Sequence, residues 1–280
     1  MSTTAERARE YRIAPRYLAD AIPDVADAVT PLIAAGWSVS NDEVGNAYLT
    51  APDLRARLAY LPEGEDSTLW KISAGPDAFA PPEWLVTFDS GTPTEIVQDF
   101  VVALADAYSR GPDHYLGASS LTRTRVFDPL LAAGWSPATP FSSIQSPDQL
   151  VRLHRRTGHL QHAKEMTGDT ERWLFEIGPP RHIWYATAST HLPDHLLQQL
   201  TTAITNPAPA IRHMKRYQLD LLPAQAVVTP TAPSPLEMAR IRAATARSVT
   251  MPRAPTSALA YTTATPRTAL PQPALTGRSR

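Results

Sequence analysis

Pro31-Leu32-Ile33-Ala34-Ala35-Gly36-Trp37-Ser38 recurs 98 residues later as Pro129-Leu130-Leu131-Ala132-Ala133-Gly134-Trp135-Ser136. Working outward from this pair, Trp70 and Gly75 answer to Trp173 and Gly178, with four residues between in each case. Trp84 and Pro93 answer to Trp184 and Pro193, with eight between. The offsets drift only from 98 to 103 to 100, and all six tryptophans fall into the three pairs. Anchors kept in order at near-constant spacing mark a tandem duplication, so the fold is that of one unit used twice.

A chain of 280 residues then holds two units of roughly 80 residues each. Units that small bury only about 60–65% of their unfolded surface, so packing one copy against the other is the economical arrangement. The absence of cysteine excludes disulfide scaffolds, thiolate zinc sites and thiol nucleophiles. Met1–Glu10 is charged and has no apolar stretch, unlike a secretory signal. No run approaches the roughly 18 apolar residues of a membrane helix, so a cytoplasmic location is the expectation. Lysine occurs three times among 26 basic residues, a bias that GC-rich coding explains.

The net charge of −1 hides a segregation. From Asn206 onward ten bases face two acids, which leaves the preceding residues at −9. Residues 31–108 carry twelve acids against three bases; residues 129–206 carry six of each and six of the eight histidines.

Each copy reads as helix, strands, helix. A short helix over Val29–Ala35 (Asp128–Ala133 in the second copy) stops at Gly36-Trp37, where glycine permits a left-handed exit. Strands are expected at Ala47–Thr50, Ala56–Leu61, Trp70–Ala74 and Trp84–Phe88, the last two alternating with period two. Thr92-Pro93-Thr94-Glu95 reads as a capping box with proline at the first helical position. The helix it opens buries Ile96, Val97, Phe100, Leu104 and Tyr108. The second copy keeps Leu196, Leu197, Leu200 and Ile204 but has Leu192 in place of the capping threonine, so its helix is expected to start less firmly. Two helices cover one sheet face, and the other copy is the expected cover for the second face. Eleven of the 28 prolines follow Asn206, a composition that cannot bury a core, apart from a short basic helix expected within 235–249. The expected fold is therefore α+β: two copies of a helix / three- or four-stranded antiparallel sheet / helix unit packed as a pseudo-dimer. The segments are 1–28, 29–108 (first repeat), 109–127 (linker), 128–205 (second repeat) and 206–280, a mostly disordered basic tail.

Trp37, Trp70, Trp84, Trp135, Trp173 and Trp184 alternate with apolar neighbours, which assigns them to the core rather than to stacking platforms. Arg152, His154, Arg155, Arg156, His159, His162 and Lys164 form the clearest polar cluster, either a solvated edge strand or an anion and nucleic-acid patch. Its histidines match no usual zinc spacing, and no metal or cofactor is expected. No Gly-x-Ser-x-Gly, glycine-rich phosphate loop or His-Glu-x-x-His occurs, so no catalytic residue is assigned and the chain leans away from enzymes.

Tyr11-Arg12-Ile13-Ala14-Pro15-Arg16-Tyr17-Leu18-Ala19, Pro52-Asp53-Leu54-Arg55-Ala56-Arg57-Leu58-Ala59-Tyr60-Leu61-Pro62-Glu63-Gly64, Leu69-Trp70-Lys71-Ile72, and the run from Pro82-Glu83-Trp84 to Thr92-Pro93-Thr94-Glu95 resemble one family. It is the actinobacterial domain of unknown function DUF 317, which typically occurs as two copies. Asp113-His114-Tyr115 and Trp184-Tyr185-Ala186-Thr187-Ala188-Ser189 resemble its second half, and Ser234-Pro235-Leu236 through Ala246-Arg247 its basic C-terminal segment. The resemblance covers 11–206 and implies no catalytic residues. Three functions stay open: a non-enzymatic module binding a protein or peptide across a sheet face or between the copies; a nucleic-acid binder using the tail and the Arg152–Lys164 patch; and an enzyme with a site between the copies. The acidic first copy argues against a broad nucleic-acid surface.

Overall fold

The computed structural model describes residues 8–19, 25–64, 67–117, 127–138 and 142–232, together with 235, 238–240, 242 and 243. The chain divides into two units, Met1–Thr231 and Ala232–Arg280. In the second unit the described residues 235, 238–240, 242 and 243 are helical, inside the stretch expected to form the basic helix; 244–280 lie outside the described residues.

The first unit begins with β1 (Arg9–Ala14) and a 3-10 turn at Arg16–Leu18. The first copy follows as α1 (Ala26–Ala34), β2 (Ser38–Asn41), β3 (Ala47–Thr50), β4 (Ala56–Tyr60), β5 (Thr68–Ala74), β6 (Trp84–Asp89) and α2 (Thr94–Arg110). A short α3 (Pro112–Tyr115) leads to the second copy. That copy comprises α4 (Asp128–Ala132), β7 (Ser136–Ala138), β8 (Ser143–Gln145), β9 (Val151–Arg155), the inserted α5 (His162–Thr167), β10 (Trp173–Ile177), β11 (Trp184–Ala188) and α6 (Asp194–Thr205). β12 (Ala210–Met214), α7 (Arg216–Leu219) and β13 (Val227–Pro230) close the unit.

All ten strands β2–β11 form one antiparallel sheet in the order β2-β3-β4-β5-β6-β11-β10-β9-β8-β7. This corrects the expected three- or four-stranded unit: each copy supplies five strands, and the copies meet edge to edge through β6 and β11 rather than face to face. In the first copy the strand missed is the outermost; in the second, β7 and β8 both lie outside the expected strands. Ser38-Val39-Ser40-Asn41 is exposed throughout and β7 is Ser136-Pro137-Ala138, so neither carries the apolar alternation that reveals a half-buried strand. At the join, Phe88 faces Ala186, Thr87 faces Thr187 and Val86 faces Ala188. The Thr87 and Thr187 hydroxyls are hydrogen-bonded at 2.6 Å, and Leu85 and Ser189 add two further bonds, at 2.9 Å each.

The alternation places Leu49, Leu58, Trp70, Ile72, Trp84, Val86 and Phe88 on one face of the sheet, with Leu153, Trp173, Phe175, Ile177 and Trp184 beyond the join; all are buried. The helices α1, α2, α6 and α4 pack side by side as a row. The helical stripes Ile96-Val97-Phe100-Leu104 and Leu196-Leu197-Leu200-Ile204 are buried as expected, with Tyr108 partly buried. Buried side chains of both copies form a single contiguous core that includes all six tryptophans. Trp37 and Trp135 each follow a glycine at positive φ (+85° and +81°), and their N–H groups return to Leu32 and Leu130 five residues back, closing the helix end as expected.

Two expectations fail locally. Pro93, not Thr92, is the N-cap of α2; no side chain caps the helix, and the buried Thr92 hydroxyl approaches Asp89 instead. Pro193 holds the same backbone position before α6, so Leu192 costs that helix no cap. The second failure is the tail boundary. Residues after Asn206 do not leave the fold at once: β12 and β13 flank β1 in a three-stranded antiparallel sheet, with Ile13, Ala19, Ala210 and Met214 buried beneath it. Arg212 of β12 makes a bidentate bond to Glu95 in the first turn of α2 at 2.5 and 2.9 Å, and Arg16 bonds Asp99 at 2.5 Å. Isolated from β1, this stretch shows only a proline-rich, weakly apolar pattern, and its partner strand lies about two hundred residues upstream in the sequence.

Candidate interaction surface

Two straps fix the frame of the sheet. Trp84 donates its indole N–H to the Tyr115 carbonyl at 2.7 Å, and the Tyr115 hydroxyl bonds the Asp53 carboxylate. Trp184 donates to the Tyr17 carbonyl at 2.9 Å, and the Tyr17 hydroxyl bonds Asp148. The triads are equivalent, yet they are assembled from different parts of the chain. Tyr115 follows the copy it straps; Tyr17 precedes both copies and straps the second. Burial and the neighbouring carboxylate push both phenols above their ordinary value. The aspartates also organise their own turns, Asp53 accepting from the Arg55 N–H at 3.1 Å and Asp148 from Leu150 at 3.0 Å. Within these turns Leu54 and Gln149 are held at φ +62° and +63°, a left-handed conformation that is costly outside glycine. The sequence signal for the straps was present as Tyr17-Leu18 against Tyr115-Leu116 and Pro52-Asp53 against Pro147-Asp148, but their exchange between copies was not.

With the helices on one side, the alternate strand positions form the other face. One row runs Ser40, Tyr48, Ala59, Lys71, Thr87, Thr187, Leu174, His154, Ser143, Ala138 from edge to edge. Beside it lie Ser38, Thr50, Arg57, Ser73 and Leu85 in the first copy, and Tyr185, Glu176, Arg152, Gln145 and Ser136 in the second. Hydroxyls dominate, Tyr48 and Tyr185 are exposed, and Leu85 and Leu174 are half-buried. The acids are Glu176, bonded to His154 at 3.0 Å, and Asp89 at the end of β6, whose carboxylate accepts from the Gly91 and Tyr185 N–H groups. Burial raises the Asp89 carboxyl above its ordinary value despite those bonds.

The seven residues of the basic cluster do not come together as one patch. Arg152 and His154 lie on the open face. Arg155 points to the helical side, its guanidinium 5.5 Å from the Trp173 ring. Arg156 pairs with Glu171 at 3.1 Å, and His159 is exposed in the following turn. His162 and Lys164 lie on α5, with His162 edge-on to His191 at 5.9 Å. The alternation of inward and outward positions along β9 is what separates neighbours in sequence. On the helical side, a cleft of about 520 Å³ between α2 and α6 is lined by Asp99, Asp106, Arg110 and His195 among others. Burial, then the nearby Arg110 and His114, hold His195 below its ordinary pKa, and its Nε2 makes no hydrogen bond. Among the described residues no group of three or more His, Asp or Glu is placed to hold a metal ion, and no helix is long and apolar enough to cross a membrane.

Comparison with curated proteins and with solved structures finds no match. Residues 50–109 and 145–210 each match the SPDY domain, a domain of unknown function (DUF317). The first match runs from the turn before β4 to the end of α2, and the second from β8 to the start of β12. Each holds the Pro-Asp turn, the three strands that lead to the join and the helix whose stripe fills the core. The chain carries two tandem copies of the DUF317 domain.

Proposed function

We propose that the protein is a non-enzymatic interaction module in which the two repeats, joined as a pseudo-dimer, present one continuous sheet face to a protein partner. The observation that carries this reading is the sheet itself: ten strands have a row of helices on one side and uncovered hydroxyl, leucine and tyrosine side chains on the other. A face of that extent, held rigid by a shared core and two tyrosine straps, is pre-organised, so little ordering free energy is lost when a ligand docks.

The test is capture from extract of the native host by three forms of the full chain: unaltered, Leu174→Arg with Tyr185→Arg on the open face, and Val102→Arg on the exposed helical side. A partner retained by the unaltered and Val102→Arg chains and lost by the open-face variant supports the proposal, provided all three melt alike. A partner held equally by all three refutes it.

A further inference from the structure

We infer that the edge strand β2 is an interaction surface whose partner is β2 of a second copy of this chain, paired antiparallel about a two-fold axis. The ten-stranded sheet ends in β2 and β7, and among the described residues each has a hydrogen-bonded neighbour on one side only. The bond from the Asp42 N–H to the Asn46 carbonyl fixes the alternation along β2. Ser38 and Ser40 bond inward to β3, while the N–H and C=O groups of Val39 and Asn41 point out from the sheet. An edge of this kind is a template for one more strand.

Natural sheets blunt such edges, and here the two repeats differ. Pro137 stands 98 residues after Val39, the offset that relates Trp37 to Trp135, and each is the second residue of its edge strand. Proline has no N–H, so the second repeat's edge lacks a donor at the place where Val39 offers one. β2 itself holds no proline and no charge, and it pairs with β3 in unbroken register. Val39 continues the row Leu49, Leu58, Ile72 and Val86, all buried on the helical side, yet it is 48% exposed. The apolar row runs to the edge and ends uncovered.

A second copy completes it. With Val39 opposite Val39, the two residues exchange both hydrogen bonds, their side chains extend the apolar row, and Ser38 meets Ser40 on the open side. The nearest acids, Asp42 and Glu43, fall at opposite ends of the pair, so like charges do not meet. The join between β6 and β11 is a contact of the same kind, an antiparallel edge pairing centred on equivalent residues. The pairing closes at two copies, because it uses the same strand of each and the edge left over carries Pro137. Four residues a side cover less than the roughly 1,200 Å² of a standard interface, so the dimer is weak and forms at high micromolar concentration.

Sedimentation velocity of the full chain from about 5 to about 500 µM should show the mass rising from one copy towards two. Amide exchange at Val39 and Asn41 should slow over the same range. Val39→Pro, which copies the second repeat's edge, should weaken the association about tenfold or more by removing the central donor. Val39→Lys, which sets two cations side by side, should do the same, and melting of both variants confirms that they fold. A single-copy mass at every concentration overturns the inference, as does growth past two copies. So does undiminished association of the folded variants, or a dimer whose Val39 and Asn41 amides exchange as in the monomer.

Discussion

Deleting residues 1–19 should unfold the second repeat, although more than a hundred residues separate the cut from β8. The segment inserts Ile13, Tyr17 and Leu18 into buried positions, at 0, 8 and 4% exposure. Ile13 belongs to the small core under β1, so at about 1.5–3 kcal/mol for each large apolar side chain the main core loses about 3–6 kcal/mol of burial with Tyr17 and Leu18. The Trp184 indole N–H loses its acceptor while remaining enclosed, a further cost of about 1–3 kcal/mol. Arg16, whose guanidinium bonds both Asp99 and the Ala203 carbonyl, goes as well. A domain with about 5–15 kcal/mol in total cannot absorb this. Hydrogen exchange read by mass spectrometry should show the amides of β9, β10 and β11 losing protection in the truncated chain, and a peptide of residues 8–19 added in excess should restore it. Unchanged protection in those strands after truncation would refute the assignment of Tyr17 to the second repeat's core.

Trp70→Ala should cost about 3–5 kcal/mol, measured by denaturant melting, because the ring is 2% exposed and packs against Tyr60 at 4.8 Å; an unchanged midpoint would mean the ring does not support the core. Because the folded-state pKa values of Tyr17 and Tyr115 lie above the ordinary phenol value, the unfolded chain loses these protons first. Their stabilisation is complete below pH about 10 and is lost as pH rises above it; Tyr17→Phe with Tyr115→Phe should flatten the alkaline fall in melting temperature. Leu54→Gly should stabilise the chain by about 1 kcal/mol by relieving a left-handed leucine that is half exposed, whereas Leu54→Val should destabilise it; the reverse order in thermal melts would contradict the strain reading.

What could be read from the sequence follows from which contacts are local. Helices and central strands announce themselves through periodicity: Trp84, Val86 and Phe88 point one way and Ile96, Val97 and Phe100 share a stripe, so these elements lie where the pattern put them. The edge strands β2 and β7 rest on backbone pairing alone and leave no apolar trace. The number of strands per copy and the edge-to-edge join were hidden for the same reason, because Thr87 and Thr187 look like ordinary outward residues until they face each other. β1, β12 and β13 pair across about two hundred residues and carry too few apolar positions to be recognised singly. The polar cluster was legible as residues but not as a surface: Arg152 and His154 share a face that Arg155, one position on, does not.

The register at the join has a consequence for how such a sheet could assemble. Val86 opposite Ala188 and Phe88 opposite Ala186, about the Thr87–Thr187 pair, is a pairing that two identical strands could make with each other. A chain with one repeat would carry its fifth strand as an open edge, and completing the sheet would depend on meeting a second molecule. Tethering both repeats through residues 109–127 turns that encounter into an intramolecular closure, with an effective concentration of about the millimolar range for a short linker. Completion of the ten-stranded face then no longer varies with the amount of protein present, and the two halves are free to differ: acidic residues accumulate on one, histidines on the other, while the join between them is kept.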